Sequence, residues 1–221
     1  MPRTDFDRDL NMLQDDLMFM GSMVDKAVVR SLDALKNRDT TLSQEVIDED
    51  DLIDAKRFEI EDKCIDLIAT QQPLAGDLRH LVTVLHVSVE LERMGDYAEG
   101  IAKIGLAIGQ EPLLKPLIDI PRMGELAGGM LRRSLDSLVN RDVTSALEVI
   151  RSDDEVDQIY EQIYRELLMF MIEDPGTVKR ATYLLWVSHD LERIADRATN
   201  IAERAIYLVT GSMPEEESSR Y

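Results

Sequence analysis

The feature that most restricts what this chain can fold into is that it is written twice. Residues 31–54, SLDALKNRDTTLSQEVIDEDDLID, align with residues 134–157, SLDSLVNRDVTSALEVIRSDDEVD, at an offset of 103, and 14 of the 24 positions are identical. Residues 85–103 align with residues 185–203 at an offset of 100, with 10 of 19 identical. The change of offset implies a three-residue length difference between the two blocks. A unit of about 100 residues is too long for a solenoid repeat and has the size of a duplicated domain.

Within each copy the apolar residues recur at helical spacing close to a heptad. Leu10, Leu17, Val24 and Ser31 fall seven apart and interleave with Leu13, Met20, Ala27 and Ala34. Val46, Ile53, Ile60 and Leu67 repeat the interval, as do Val84, Leu91 and Ala98 alongside Val87, Met94, Ile101 and Ile108. The pattern predicts three long helices per copy and an all-α chain of two tandem three-helix bundles. Breaks fall at Asn37-Arg38-Asp39 and Asn140-Arg141-Asp142, and at Gln72-Pro73 and Asp174-Pro175-Gly176. Loops this short make successive helices antiparallel. Pro112, Pro116 and Pro121 interrupt regular helix between the copies. The expected bundles therefore cover residues 1–110 and 111–210, with a tail over 211–221 expected to lack fixed structure.

Composition narrows the function. With 44 acidic against 25 basic side chains the formal charge is -19, a surface that repels nucleic-acid backbones and anionic lipid. The N-terminal stretch has no apolar core of a secretory signal, and runs such as Leu167–Ile172 are far too short to span a bilayer. A cytoplasmic location is expected. The single cysteine, Cys64, sits in an apolar helical pattern and reads as a core residue. No Gly-rich phosphate loop, Ser-His-Asp set or Cys-x-x-Cys pair occurs, so no catalytic residue is assigned and the protein is not read as an enzyme.

Four acidic pairs at i, i+4 stand out: Asp50/Asp54, Glu92/Asp96, Asp153/Asp157 and Glu192/Asp196. Residues four apart share a helix face. Taken singly they mean little, because 44 acids in 221 residues produce about nine such pairs by chance. Their register is more informative. Asp54 and Glu92 lie 19 residues either side of Pro73, and Asp50 and Asp96 lie 23 either side. In the second copy Asp157 with Glu192, and Asp153 with Asp196, are equidistant from the Asp174-Pro175 junction. If the flanking helices form antiparallel hairpins, each copy brings four carboxylates to one height. Such a cluster stays ionised only beside a cation, and oxygen-only ligands select iron, manganese, magnesium or calcium. A solvated acidic face would carry the same residues at the same outward heptad positions.

The segments LERMGDYA at 91–98 and LERIADRA at 191–198, followed by Ile101-Ala102 and Asn200-Ile201-Ala202, resemble the twice-occurring signature of the PhoU family. The turn QQPLAGDLR at 71–79 is also similar to that family's, and the resemblance runs from about Phe6 to Leu208. It implies two three-helix bundles and a negative regulator, or repressor, of phosphate transport and starvation signalling. The implied partners are the ATPase subunit of a phosphate ABC transporter and a sensor histidine kinase. The family's E(D)xxxD motifs, which hold multinuclear metal clusters, match Asp50, Asp54, Glu92, Asp96, Asp153, Asp157, Glu192 and Asp196. The implied cofactor is a metal centre, iron clusters or another hard divalent cation such as manganese or magnesium. Departures exist, since Gly100 stands where the second copy has Asn200 and Glu99 where it has Thr199.

The rival reading is a ferritin-like metal enzyme, and a third is a metal-free helical scaffold. The first rival needs Glu-x-x-His ligands. Asp77-x-x-His80 comes nearest and has no histidine in its repeat, while His86 and His189 read as helix-surface or interface residues. Methionines such as Met12, Met18, Met20 and Met23 read as bundle filler. Metal identity, homo-oligomerisation, the docking surface and direct phosphate binding are left open by the sequence.

Overall fold

Each copy starts a hairpin with the same turn, built from the same residues. After α1 (Arg3–Asn37), Arg38 takes a left-handed φ of 54°, and Asp39 caps α2 (Thr40–Gln71) by accepting the Leu42 N–H at 3.0 Å. After α4 (Asp119–Asn140), Arg141 takes φ 55°, and Asp142 caps α5 (Val143–Glu173) by accepting N–H bonds from Thr144 and Ser145. The backbone bond closing both turns is also shared: Asp39 N–H to Ala34 O and Asp142 N–H to Ser137 O, each at 2.9 Å. The computed structural model describes residues 3–214, with side chains from residue 6 onward. The third helices are α3 (Gly76–Ile108) and α6 (Val178–Thr210), the latter entered through a 3-10 turn at Pro175–Thr177. No strand occurs among the described residues.

The heptad positions line the core. Leu13, Leu17, Met20 and Val24 of α1, Ile53, Ile60 and Cys64 of α2, and Leu81, Val84, Val87 and Leu91 of α3 are all buried in one cluster. Burying each such side chain contributes about 1.5–3 kcal/mol before ordering costs. Leu10 and Ala27 at the edge of the seam are only half-buried. Cys64 is fully buried, and burial pushes its thiol up to about 12. Residues 109–118 connect the copies, and Pro121 lies inside the first turn of α4 rather than in the connection. Proline is tolerated there because first-turn N–H groups have no intrahelical acceptor.

The two bundles are joined by a pseudo-twofold packing. Helix α1 lies against α4 and α3 against α6, whereas α2 and α5 touch only helices of their own copy. Gly21 makes room for Leu135, and its repeat counterpart Gly124 makes room for Leu32, the counterpart of Leu135: a Cβ at either glycine would come 2.3 or 2.1 Å from a leucine Cδ1. Helices α3 and α6 repeat the exchange, with Glu90 accepting from Asn200 at 3.1 Å and a Cβ at Gly100 coming 3.0 Å from Asp190. These reciprocal pairs require α3 and α6 to run antiparallel, level with one another near Gly95 and Ala195. The buried serines obey the same symmetry, each donating back into its own helix: Ser31 to Val28 O and Ser134 to Leu131 O.

The caps predict a measurable symmetry. Replacing Asp39 or Asp142 by Ala should each lower the thermal unfolding midpoint by about 2–4 °C for a chain of this size, with circular dichroism at 222 nm as the readout.

Candidate metal centre

The α2–α3 hairpin turns through residues 72–75, where Gln72 (φ 48°) and Ala75 (φ 44°) both take left-handed φ. The α5–α6 hairpin turns at Asp174, whose side chain accepts the Gly176 N–H at 2.9 Å. Both turns sit at the centres of the acidic registers, so the predicted carboxylates face one another across each hairpin.

In the first copy Asp50 and Asp54 of α2 and Asp96 of α3 offer oxygens that all lie within 4.8 Å of one another. Glu92 stands beside Asp54 and Asp96 but outside that group of three. Asp50, Asp54 and Glu92 are half-buried and Asp96 is exposed. Gly95 lets Asp50 come this close to α3, because a Cβ there would lie 3.0 Å from Asp50 Oδ1. Burial, then the charges of Glu99, Asp96 and Asp54, push the Asp50 carboxyl up to about 7. Glu92 and Asp96 are also raised, by burial first and then by Asp96 and Asp54, and by Asp54 and Glu99, respectively.

In the second copy Asp153, Asp157, Glu192 and Asp196 occupy the corresponding places, but no three of them meet the same 4.8 Å spacing among the described residues. Asp153 is pushed up to about 7, by burial first and then by Asp157, Asp196 and Glu192. Its Oδ1 is buried without a hydrogen-bond partner among the described residues. Asp157, Glu192 and Asp196 are likewise raised, burial being the first cause in each. Arg193 lowers this cost on one side: its Nε and Nη2 bind Glu192 at 2.8 and 3.1 Å, and its Nη1 lies 3.0 Å from Asp196.

Like charges at this density repel unless they share protons or a cation. The donor set is all oxygen, and an orphaned buried Asp153 Oδ1 with a glycine-made berth for Asp50 fits a hard cation in each copy. Asp50, Asp54, Glu92 and Asp96 would hold it in the first, and Asp153, Asp157, Glu192 and Asp196 in the second.

Sequence reasoning did not assign Glu99 and Arg193 to these clusters. Glu99 is three residues from Asp96 on the same helix face, a spacing that could have flagged it; it also pairs with Lys103 at 2.6 Å. Arg193 gave no signal, because both copies carry Arg at that place. His80 is buried with Nδ1 unpartnered among the described residues, and burial and Arg141 lower its pKa. His86 and His189 are exposed, and His189 packs near Tyr160 with Nδ1 3.7 Å from Glu192.

The sequence model of the PhoU domain matches the chain twice, at residues 17–105 and 120–205, one match per bundle. The chain belongs to the PhoU family. The phosphate-specific transport system accessory protein PhoU homolog of Clostridium acetobutylicum is 42% identical over 212 residues, covering 96% of this chain and 97% of that one. The Aquifex aeolicus protein of the same description is 40% identical, covering 93% of each. The crystal structure of PhoU from Pseudomonas aeruginosa superposes with a TM-score of 0.90 at 33% identity, covering 94% of this chain and 100% of that one. Both site-bearing hairpins lie inside the two PhoU matches. No helix of the described residues is long and apolar enough to cross a membrane.

The raised carboxyls carry a pH prediction. A carboxyl whose folded pKa lies above its unfolded value near 3.8 binds more protons when folded, so stability falls as pH rises from that value through about 7. With a chelator present, the thermal midpoint should therefore drop between pH 5 and pH 8. In the Asp50→Asn/Asp153→Asn variant the drop should be smaller, with part of the remainder coming from Asp190, which burial pushes up to about 6.

Proposed function

We propose that this chain is the accessory regulator of a phosphate-specific transport system: a cytoplasmic, non-catalytic adaptor that holds metal ions in its two carboxylate clusters and restrains phosphate uptake and phosphate-starvation signalling. The observation that carries the reading is full-length family membership, both copies included, with relatives described as accessory proteins of such a system. The structure of PhoU from Streptococcus pneumoniae, described as a phosphate transport system regulatory protein, superposes at a TM-score of 0.88 with 30% identity. The partners are the transporter's ATPase subunit and a sensor histidine kinase.

The residues have a division of labour in this reading. Asp50, pressed against α3 at Gly95, and Asp153, with its Oδ1 buried, would be the inner ligands, and the more exposed Asp96 and Asp157 the outer ones, open to water or a partner's carboxylate. A bound hard cation supplies the positive charge that cancels the repulsion and ties α2 to α3 and α5 to α6. Because α3 and α6 are level at the heights of both clusters, a change in either hairpin is felt at the contact between bundles. The surface charge of -19 makes docking to the partners strongly salt-dependent.

Deleting the gene in phosphate-rich medium should derepress phosphate uptake and starvation genes, and re-expressing the wild-type chain should restore repression. Unchanged expression after deletion overturns the assignment. Elemental analysis of protein purified without chelator should find iron or manganese, reduced in Glu92→Gln/Asp96→Asn and abolished when the second cluster is also neutralised. Steady oxygen consumption by iron-loaded protein would favour the ferritin-like enzyme instead.

A further inference from the structure

The two clusters are closed differently, although the residues around them are repeated. In the second copy Arg193 folds across the outer edge of its cluster, with Nε 2.8 Å and Nη2 3.1 Å from the two Glu192 oxygens and Nη1 3.0 Å from Asp196 Oδ2. Its counterpart Arg93 is exposed and has no ion pair within 4 Å among the described residues. The surroundings are unequal too. Tyr160 of α5 stands beside Glu192 and stacks near His189, whereas the corresponding residue of α2, Arg57, turns to Glu61 at 3.1 Å and lies over Phe58. The first cluster has Glu99 as an additional carboxylate where the second has Thr199.

We infer that Arg193 is a resident counter-cation of the second cluster that a metal ion must displace, so the two halves load in sequence, the first before the second. This rests on the metal-binding reading above. A guanidinium cannot lose its proton at any relevant pH and cannot act as a ligand, so its fixed charge competes with a divalent ion for the Glu192 carboxylate. Both Glu192 oxygens accept from Arg193, so each has one lone pair engaged, and a divalent ion meets the guanidinium's positive charge at contact until the fork opens. The fork neutralises only one edge: Asp153 Oδ1 remains buried without a partner among the described residues on the other side. Arg193 is 37% exposed, so its guanidinium can swing into solvent without opening the core. The fork is bidentate and Glu192 is only 15% exposed, so the pair is stronger than an ordinary surface one, and its displacement by a divalent ion is a matter of affinity rather than of refolding. The second half thus responds to a higher range of metal concentration than the first, on a helix that contacts the other bundle.

Manganese(II) titration of the full-length chain, with free manganese followed by electron paramagnetic resonance, tests this. Wild type should bind in two phases. Glu92→Gln/Asp96→Asn should keep the weaker phase, and Asp153→Asn/Asp157→Asn the tighter. Adding Arg193→Gln to the first of these variants should tighten its remaining phase about tenfold, because the ion no longer has to displace the fork from Glu192 and Asp196. Arg193→Lys, which keeps charge but lacks the fork, should give a smaller gain, and Arg93→Gln added to the second variant should change affinity by less than about threefold. Circular dichroism should confirm that each variant is helical. An unchanged or weakened second phase with Arg193→Gln overturns the inference while leaving metal binding intact. Absence of manganese binding in wild type and all variants overturns the metal reading itself, and the inference with it.

Discussion

The antiparallel contact of α3 with α6 is the constraint on which the rest depends. These two helices are each packed by both helices of their own bundle and by one another, so they form the centre of the molecule. Their approach is set by small or complementary side chains at reciprocal positions, Gly100 against Asp190 and Asn200 against Glu90. A second reciprocal exchange, Gly21 with Leu135 and Gly124 with Leu32, fixes α1 on α4. Because each contact occurs twice, a displacement at one must be matched at its counterpart, which holds the bundles in one relative orientation.

The acidic hairpins are attached to this centre at its mid-height, and there burial and charge oppose each other. Burial is the leading cause of every raised carboxyl in both clusters, so the apolar packing that stabilises the bundles is what makes these acids costly. Elsewhere several part-buried carboxylates are relieved by protein cations, although Asp190, which burial pushes up to about 6, has none at contact distance among the described residues. Burial works against the charge of Asp16 on α1, yet Lys56 and Lys63 of α2 bind it at 2.6 Å each and hold it below the usual range, and Lys115 pairs with Glu166. Among the described residues the first cluster has only Lys103 on Glu99 at contact distance, with Arg57 and Arg93 acting at longer range, and the second has Arg193 on one edge, His189 near Glu192 and Arg197 acting on Asp196 at longer range. What sets the two clusters apart is that four such carboxyls gather at one height in each, and that concentration of like charge is the physical basis for the proposed ligand.

Much of this was legible in the sequence. Heptad spacing marked the core through Leu13, Leu17, Met20, Ile53, Ile60 and Leu91, because helix periodicity is a local property that burial merely selects. The equal distances of Asp54 and Glu92 from Pro73 placed facing acids at one height, because a short loop leaves an antiparallel hairpin little freedom of register. Pro121 belongs by its sequence context to the connection yet lies in α4, since a proline breaks a helix only beyond its first turn. Residues 215–221, most of the tail expected to lack structure, lie outside the described residues.

The sequence by itself therefore determined the helices, their turns and which carboxylates share a face, all consequences of spacing along one chain. Only the tertiary structure decided that Gly95 admits Asp50 against α3, that Glu92 stands outside the closest group while Glu99 adds its charge, and that Arg193 closes over its cluster while Arg93 does not. The two copies spell Leu-Glu-Arg identically at these arginines. What separates them is the neighbourhood supplied by other helices, Tyr160 on one side and Arg57 on the other, and a side chain's choice among partners is made by the three-dimensional field around it rather than by its place in a repeat.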